Sequence, residues 1–323
     1  MMYANIEQLA ILRQGFQVWN KWRDENPNID IYLIKADLRW TNLKQVNLQG
    51  ANLCEAKLIE SDLTGAELSY ANLSNTEIIG ANLSHANLTG ADINNANLTA
   101  ANFSEANLTK ANISNALLMN TNLYRANLSG TDLSLSYLSN ANLSRSNLTA
   151  SNFSEANLTA SDFSGANLCE TNFSHTNLSG TNFTSANMSL ANLRGAYLYG
   201  ANLNEANLSS ANLSETDLTE TDLSEANCSF ANFTNANLRL ARIISTNFHA
   251  ANLTGACIED WHINSNTNLE KAICEYVYMK INDENKTERR PINVNFVPGE
   301  FASLYHKIIE NTDLILRKIT PLE

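Results

Sequence analysis

Ala86-Asn87-Leu88-Thr89-Gly90 is one member of a long series of five-residue units, and reading that series decides the fold. Every fifth residue from Leu38 to Ile258 is apolar without a slip. Most are Leu; the rest are mainly Phe (Phe103, Phe153, Phe163, Phe173, Phe183, Phe233, Phe248) and Ile. Two residues before each stands a small residue, nearly always Ala, Ser or Thr, and between them usually Asn or Asp. A period of five is neither the helical 3.6 nor the strand's 2. Inside one unit, however, the small residue and the Leu are two apart. In extended chain they share a side, while the Asn and the following Ser/Thr take the other. Each unit therefore reads as a short extended segment with an apolar inner face, after which the chain must turn.

Glycine shows where. All of the 12 Gly except Gly15 and Gly299 fall two residues after the repeat's Leu, and Asn recurs at the same slot. Both tolerate positive φ, as the third residue of a type II turn requires. Leu135, Phe230 and Leu240 at that slot predict a different turn type there. The Phe residues suggest how many sides a coil has. Phe103, Phe163 and Phe183 differ by multiples of 20, as do Phe153, Phe173 and Phe233, with the two sets offset by ten. A four-sided coil of twenty residues puts Phe153 over Phe173 and Phe163 over Phe183, so that rings stack in the core. Handedness does not follow from the spacing.

Residues 36–258 resemble the pentapeptide-repeat proteins. The resemblance implies a right-handed, four-sided β-helix. The expected fold is an all-β solenoid, a right-handed quadrilateral β-helix of about eleven coils with short helical segments at both ends. Its expected divisions are an N-terminal helical cap (1–30), the β-helix (31–263) and a C-terminal extension with a strand and a helix (264–323). The flanking segments, Leu12-Arg13-Gln14-Gly15 to Trp22-Arg23 and Ile258-Glu259-Asp260-Trp261 to Arg290-Pro291, are similar to those of cyanobacterial members, which often continue further.

Residues 5–25 read as one amphipathic helix. Ile6, Leu9, Leu12, Phe16, Trp19 and Trp22 recur at helical spacing, Asn5 with Gln8 fits a capping box, and Asn26-Pro27 ends it. A β-helix exposes unpaired strand edges at its ends, so the helix is expected to be a lid on the first coil. After Ile258 the pattern fades, with Ile263 as a last inward residue. Residues 273–279 read as a strand, 281–297 as a polar loop, and Pro298 to about Asn311 as a second amphipathic helix carrying Phe301, Leu304, Tyr305 and Ile308. Arg289 and Arg290 are expected to form structural salt bridges.

With 323 residues and net charge −12, the chain lacks the basic face that direct nucleic-acid binding needs. It shows no signal peptide and no apolar run able to span a bilayer, so a cytoplasmic protein without membrane contact is expected. Its five Cys show no paired spacing and read as reduced thiols, Cys228 in a core slot. The five His are scattered, with no metal-ligand spacing and no phosphate loop or nucleophile elbow. Neither catalysis, a cofactor nor a metal is expected.

The outward slot before each Leu departs from Asn/Asp at Lys57, Glu67, Glu77, Leu117, Tyr137, Tyr197, Arg242 and Cys257. Six of these, all but Glu67 and Arg242, differ by multiples of 20, which places them on one side of a four-sided coil. Two residues on from that slot lie Ile59, Ile79, Met119 and Tyr199. Aligned apolar residues on an outer face suggest an interaction surface. The candidate partner contacts are Leu117, Met119, Tyr137, Tyr197 and Tyr199. The competing readings are cover by a terminal segment and neutral drift. A second candidate is acidic: Glu205, Glu215, Asp217, Glu220, Asp222 and Glu225 occur with no Lys or Arg between Arg194 and Arg239. Some members of the resembled family imitate DNA and bind DNA gyrase, but these carboxylates fall on different sides of the coil. The expected function is a non-catalytic scaffold or regulator that binds another protein of unknown identity, with a homodimer as an alternative assembly. A DNA-mimic modulator of gyrase and a purely structural rod are the other readings.

Overall fold

The computed structural model describes residues 3–282 and 285–308. The chain divides into two compact units, Met1–Asn177 and Leu178–Glu323.

In unit 1 the extended segments pair in parallel with a constant offset of twenty residues, from Tyr32↔Asn52 to Asn157↔Asn177. Four five-residue sides thus make one coil. Unit 2 keeps the same offset from Asn182↔Asn202 to Arg242↔His262. The repeat Leu positions from Leu38 to Ile258, and the small residues before them apart from the half-buried Thr41, fill the interior at 0–3 % exposure. Phe153 stacks on Phe173, with centroids 5.2 Å apart and planes 12° from parallel, as the twenty-residue register requires. Where the small slot is Ser or Thr, the buried hydroxyl donates to a backbone carbonyl. Ser61 Oγ bonds Leu58 O at 2.7 Å and Thr76 Oγ1 bonds Leu73 O at 2.6 Å.

The unit Thr121–Arg125 shows how the backbone is satisfied. Thr121 N closes the preceding turn on Leu118 O (3.2 Å). Asn122 N donates back one coil to Ala101 O (3.0 Å), while Leu123 N and Arg125 N donate forward to Asn142 O (2.7 Å) and Ser144 O (3.1 Å). Tyr124 N bonds its neighbour's side chain, Asn122 Oδ1, at 3.2 Å. All five amides are used. Four carbonyls accept in return, from Asn142 N, Phe103 N, Ala126 N and Glu105 N. The carbonyl of the corner residue, Arg125, takes no bond from within the coils among the described residues.

The ladder also fixes the corner conformation. Glycine corners sit at positive φ, as at Gly130 (66°), but so do Leu135 (59°), Phe230 (60°) and Leu240 (57°). The different turn type expected at those three residues is therefore absent. Bonds to both neighbouring coils impose the left-handed conformation on any residue there, at about 1–2 kcal/mol for a residue with a Cβ.

The N-terminal segment forms two helices, α1 (Ile6–Leu12) and α2 (Phe16–Glu25), not one. The break falls at Gly15, whose φ of 105° suits glycine. Asn5 Oδ1 caps α1 by accepting from Glu7 N and Gln8 N. Gln8 does not complete the box. It is 4 % exposed and pairs with the first coil, Nε2 donating to Asp30 O (2.8 Å) and Oε1 accepting from Tyr32 N (2.8 Å). Ile6, expected inside, is 83 % exposed. From α2, Trp19 Nε1 donates to Asn47 O (2.7 Å), Asn20 Oδ1 accepts from Asn47 N (2.8 Å) and Arg23 Nη2 donates to Gln49 O (3.2 Å). These side chains supply the bonds that a preceding coil would make, and so blunt an exposed edge.

In unit 2 the ladder runs on past Ile263, one residue out of step: Asn247↔Asn268, Asn252↔Ile273 and Cys257↔Tyr278. Leu269, Ala272, Cys274 and Val277 are buried there, while Ile263 is only half-buried. The chain then forms an antiparallel hairpin of β1 (Val277–Asn282) and β2 (Asn285–Arg290). The expected polar loop over 281–297 thus contains a strand. Residues 300–308 are helical, with Phe301 buried against Trp261, Phe296 and Tyr305; Asn311 lies outside the described residues. Arg289 is not the salt-bridge residue expected. It donates to the carbonyls of Pro291 and Val294 and to Asn295 Oδ1, and lies over the Tyr276 ring. Arg290 approaches Glu288 at 3.9 Å.

Two outcomes follow. Trp19→Ala is expected to cost about 3–5 kcal/mol, and Trp19→Phe, which keeps a ring but loses the bond to Asn47 O, about 1–2 kcal/mol, both read by denaturant unfolding. Burial pushes the Cys228 thiol up, and the Cys274 thiol up to about 12. The unfolded chain loses those protons from about pH 9 upward while the fold keeps them, so stability falls as pH rises above 9. Cys228→Val removes one of these thiols. The stability of wild type relative to this variant should fall by about 1.4 kcal/mol per pH unit above 9; parallel pH profiles would contradict the assignment.

Candidate functional site

The outward slot is built by asparagine. Asn102 Oδ1 accepts from Ser104 N (3.1 Å) and from Asn122 Nδ2 (3.1 Å), and Asn122 Oδ1 accepts from Tyr124 N (3.2 Å) and from Asn142 Nδ2 (3.2 Å). One side-chain oxygen thus closes a local turn and receives the next coil's amide. Threonine after the slot adds a bond, as Thr89 Oγ1 does to Asn87 Oδ1 at 2.7 Å. Comparable bonds tie Asn107 to Asn87, Asn147 to Asn127 and Asn172 to Asn152 on other sides of unit 1.

One side of unit 1 departs from this. Its slots read Asp37, Lys57, Glu77, Asn97, Leu117, Tyr137 and Asn157, joined by successive bridges. Leu117 and Tyr137 are direct neighbours, with Leu118 N bonded to Tyr137 O at 2.7 Å. Met119 lies along the same side and is half-buried, as is Leu117. Tyr137 is 48 % exposed, and the corner residue before it, Leu135, 50 %. A side chain that can neither accept from the i+2 amide nor donate to the coil before it interrupts the polar ladder and leaves an apolar surface.

Tyr197 and Tyr199 belong to unit 2, so the five aromatic and apolar candidates form two groups. Both tyrosines are about half exposed, at 57 % and 49 %. Tyr199 OH donates to Glu220 at 2.9 Å, and that bond raises the phenol's pKa. The carboxylates do not form one patch. Glu205, Glu215, Glu220 and Glu225 are corner residues with positive φ, spread over three corners of the coil. Glu215 pairs with Arg194 at 3.1 Å, and Glu205 accepts from Ser185 Oγ at 2.8 Å. Asp217 and Asp222 act as slot residues, accepting from Thr219 N and Ser224 N.

A repeat this regular over both units is decisive. A model of the family described as pentapeptide repeats (8 copies) matches overlapping stretches from 36–75 to 221–260 that together cover residues 36–260. The chain belongs to the pentapeptide-repeat family. Members of known structure form right-handed quadrilateral β-helices, and they are generally non-catalytic structural or binding proteins. Among solved structures, the chain is similar to HetL, a pentapeptide repeat protein involved in heterocyst differentiation regulation from the cyanobacterium Nostoc sp. strain PCC 7120. The identity is 26 % over 78 % of this chain and 94 % of that one, with a TM-score of 0.40. A pentapeptide repeat protein from the Arabidopsis thaliana thylakoid lumen is 40 % identical over 30 % of this chain and 68 % of its own, with a TM-score of 0.30. QnrB1, a plasmid-mediated fluoroquinolone resistance protein, is 16 % identical over 74 % of this chain and 88 % of its own, with a TM-score of 0.27. No curated protein matches at a significant level.

Among the described residues no group of three or more His, Cys, Asp or Glu is placed to hold a metal ion, and no helix is long and apolar enough to cross a membrane. One residue that sequence reading passed over is Lys286, in the segment read as a loop. Its ammonium donates to the carbonyls of Asn235, Gly255 (2.8 Å) and Ala236 (3.4 Å), and burial draws its pKa down to about 8. Cys257, one of the slot departures, is fully buried beside it, and burial raises its thiol. The available signal was the alternation Tyr276, Tyr278 ahead of a charged stretch, which fits a hairpin as well as a single strand.

Proposed function

We propose that this pentapeptide-repeat protein is a non-catalytic, cytoplasmic scaffold or regulator that binds another protein. In this reading residues 1–30 are a lid, 31–263 a right-handed β-helix of about eleven coils, and 264–323 a C-terminal extension. The carrying observation is the interrupted asparagine ladder on one side of unit 1, where Leu117 and Tyr137 replace the hydrogen-bonded residue and Tyr137 and Leu135 stay half exposed. A ladder-held surface is preorganised, so docking on it loses little conformational entropy. Tyrosine suits such a contact because it offers apolar area and a polar tip. Tyr197 and Tyr199 offer a second contact in unit 2.

The gyrase-mimic reading draws less support. Its carboxylates are split between corners and slots, and Glu215 is already neutralised by Arg194. The family's QnrB1 is known as a fluoroquinolone resistance protein, so supercoiling by purified gyrase remains the direct check of that alternative.

The test is affinity capture from native lysate with the wild-type chain and with a Leu117→Asn, Tyr137→Asn double variant, which restores the repeat's own residue and so preserves the fold. The expected result is a protein retained by wild type and lost by the variant. Equal capture by both would overturn the assignment to this side. Sedimentation of the two proteins separates a second copy of the chain from a different partner.

A further inference from the structure

Within unit 2 the chain shows what one side of its own coil accepts. The Lys286 ammonium lies at the carbonyls of two successive corners, Asn235 and Gly255, with Ala236 O at 3.4 Å and the Tyr278 ring centroid at 6.0 Å. Corner carbonyls are the ones the coils leave without a partner, as the accounting at Thr121–Arg125 shows. A primary ammonium carries three donors and no acceptor, so a row of unused carbonyls satisfies it. Tyr276 and Tyr278 wall the seat, and Cys257 at its centre is fully buried.

A related seat occurs in unit 1, where Asn115, whose Nδ2 donates to Asn95 Oδ1 at 2.6 Å, stands in the place of Gly255. In unit 2 three successive coils contribute Asn235-Ala236-Asn237, Gly255-Ala256-Cys257 and Tyr276-Val277-Tyr278. In unit 1 three successive coils contribute Asn95-Ala96-Asn97, Asn115-Ala116-Leu117 and Leu135-Ser136-Tyr137. Their bridges correspond: Asn97↔Leu117 and Leu117↔Tyr137 repeat Asn237↔Cys257 and Cys257↔Tyr278. Ala96 O accepts from Leu117 N at 3.0 Å, as Ala236 O does from Cys257 N at 2.9 Å. Among the described residues the carbonyls of Asn95 and Asn115 accept no hydrogen bond. The seats differ in what lies on them. Cys257 is covered, whereas Leu135 and Tyr137 keep half their surface open.

We infer that the unit 1 seat docks a lysine-bearing extended segment of a partner protein, with the ammonium between the Asn95 and Asn115 carbonyls and the lysine stem on Leu117 and Tyr137. This rests on the protein-binding reading above and names the chemistry of the partner. The net charge of −12 favours a cationic segment. A compact ammonium presents three donors to stacked carbonyls, as Lys286 does, and its four-carbon stem covers apolar surface.

The test uses the full chain and a head-to-tail cyclised peptide with the sequence of residues 277–291, beside the same peptide carrying Lys286→Met. Hydrogen exchange is followed at residues 95–97, 115–117 and 135–137. The expected result is protection of these amides by the lysine peptide, about tenfold or more weaker with the methionine peptide, and lost in the Leu117→Asn, Tyr137→Asn chain. Equal protection by both peptides, lost in the variant chain, would overturn the lysine seat while leaving the side a protein-docking surface. No protection of these amides by either peptide would overturn the inference, and the capture experiment would then judge the protein-binding reading alone.

Discussion

Everything in this protein depends on a backbone hydrogen bond thrown to a residue about twenty positions away. Each extended segment is only about three residues long, too short to be a strand in its own right, and is held by its bonds to the coils before and after it. Because those bonds fix the peptide planes on either side of every corner, the corner has one conformation open to it. Glycine and asparagine take it easily. Leucine, phenylalanine, glutamate and arginine take it too, at a cost that the surrounding ladder offsets. The ladder, not the corner residue, sets the turn.

The same constraint explains why asparagine is so heavily used. At the outward slot its oxygen serves an amide two residues on and its nitrogen the coil before, so one side chain bonds along the chain and across it. Aspartate does the first and can only receive the second. Leucine and tyrosine do neither at Leu117 and Tyr137, and lysine can only donate. Replacing asparagine there gives up polar bonding that the fold would otherwise have, and it happens repeatedly on one side. A surface that forgoes such bonds in register has been shaped by something other than the coil's own stability.

What the sequence made legible was whatever repeats. The inward leucines, the twenty-residue register and the stacking of Phe153 on Phe173 all follow from spacing alone. The parts that stayed hidden are contacts between a repeat and a non-repeat. Gln8 reads as half of a helix cap, yet the free edge at Asp30 and Tyr32 competes for its amide and wins. One helix reads across Gly15, but two helices are needed to lay Gln8 and Trp19 over different parts of the first coil. Leu135 reads as a change of turn type because propensity is local, whereas the bonds that override it come from neighbouring coils. For Lys286 the sequence offered at most a hairpin around it and not its seat, since its partners are carbonyls remote in sequence. Of the candidate site, the alignment of Leu117 with Tyr137 was readable, and the corner carbonyls beside them were not.

The coil of twenty-one residues between Asn247 and Asn268 bears on how such a chain tolerates changes of length. Within a unit, deleting or duplicating twenty residues returns every later side chain to its own face. Deleting five turns all that follows by a quarter, so that a docking side would be broken into offset halves while the core stayed intact. A single extra residue is absorbed where a corner can bulge, as it is before Asn268, and the ladder resumes one step later. Changes in length are thus sorted by their remainder: multiples of twenty are silent, multiples of five reshuffle the surface, and anything else must find a corner.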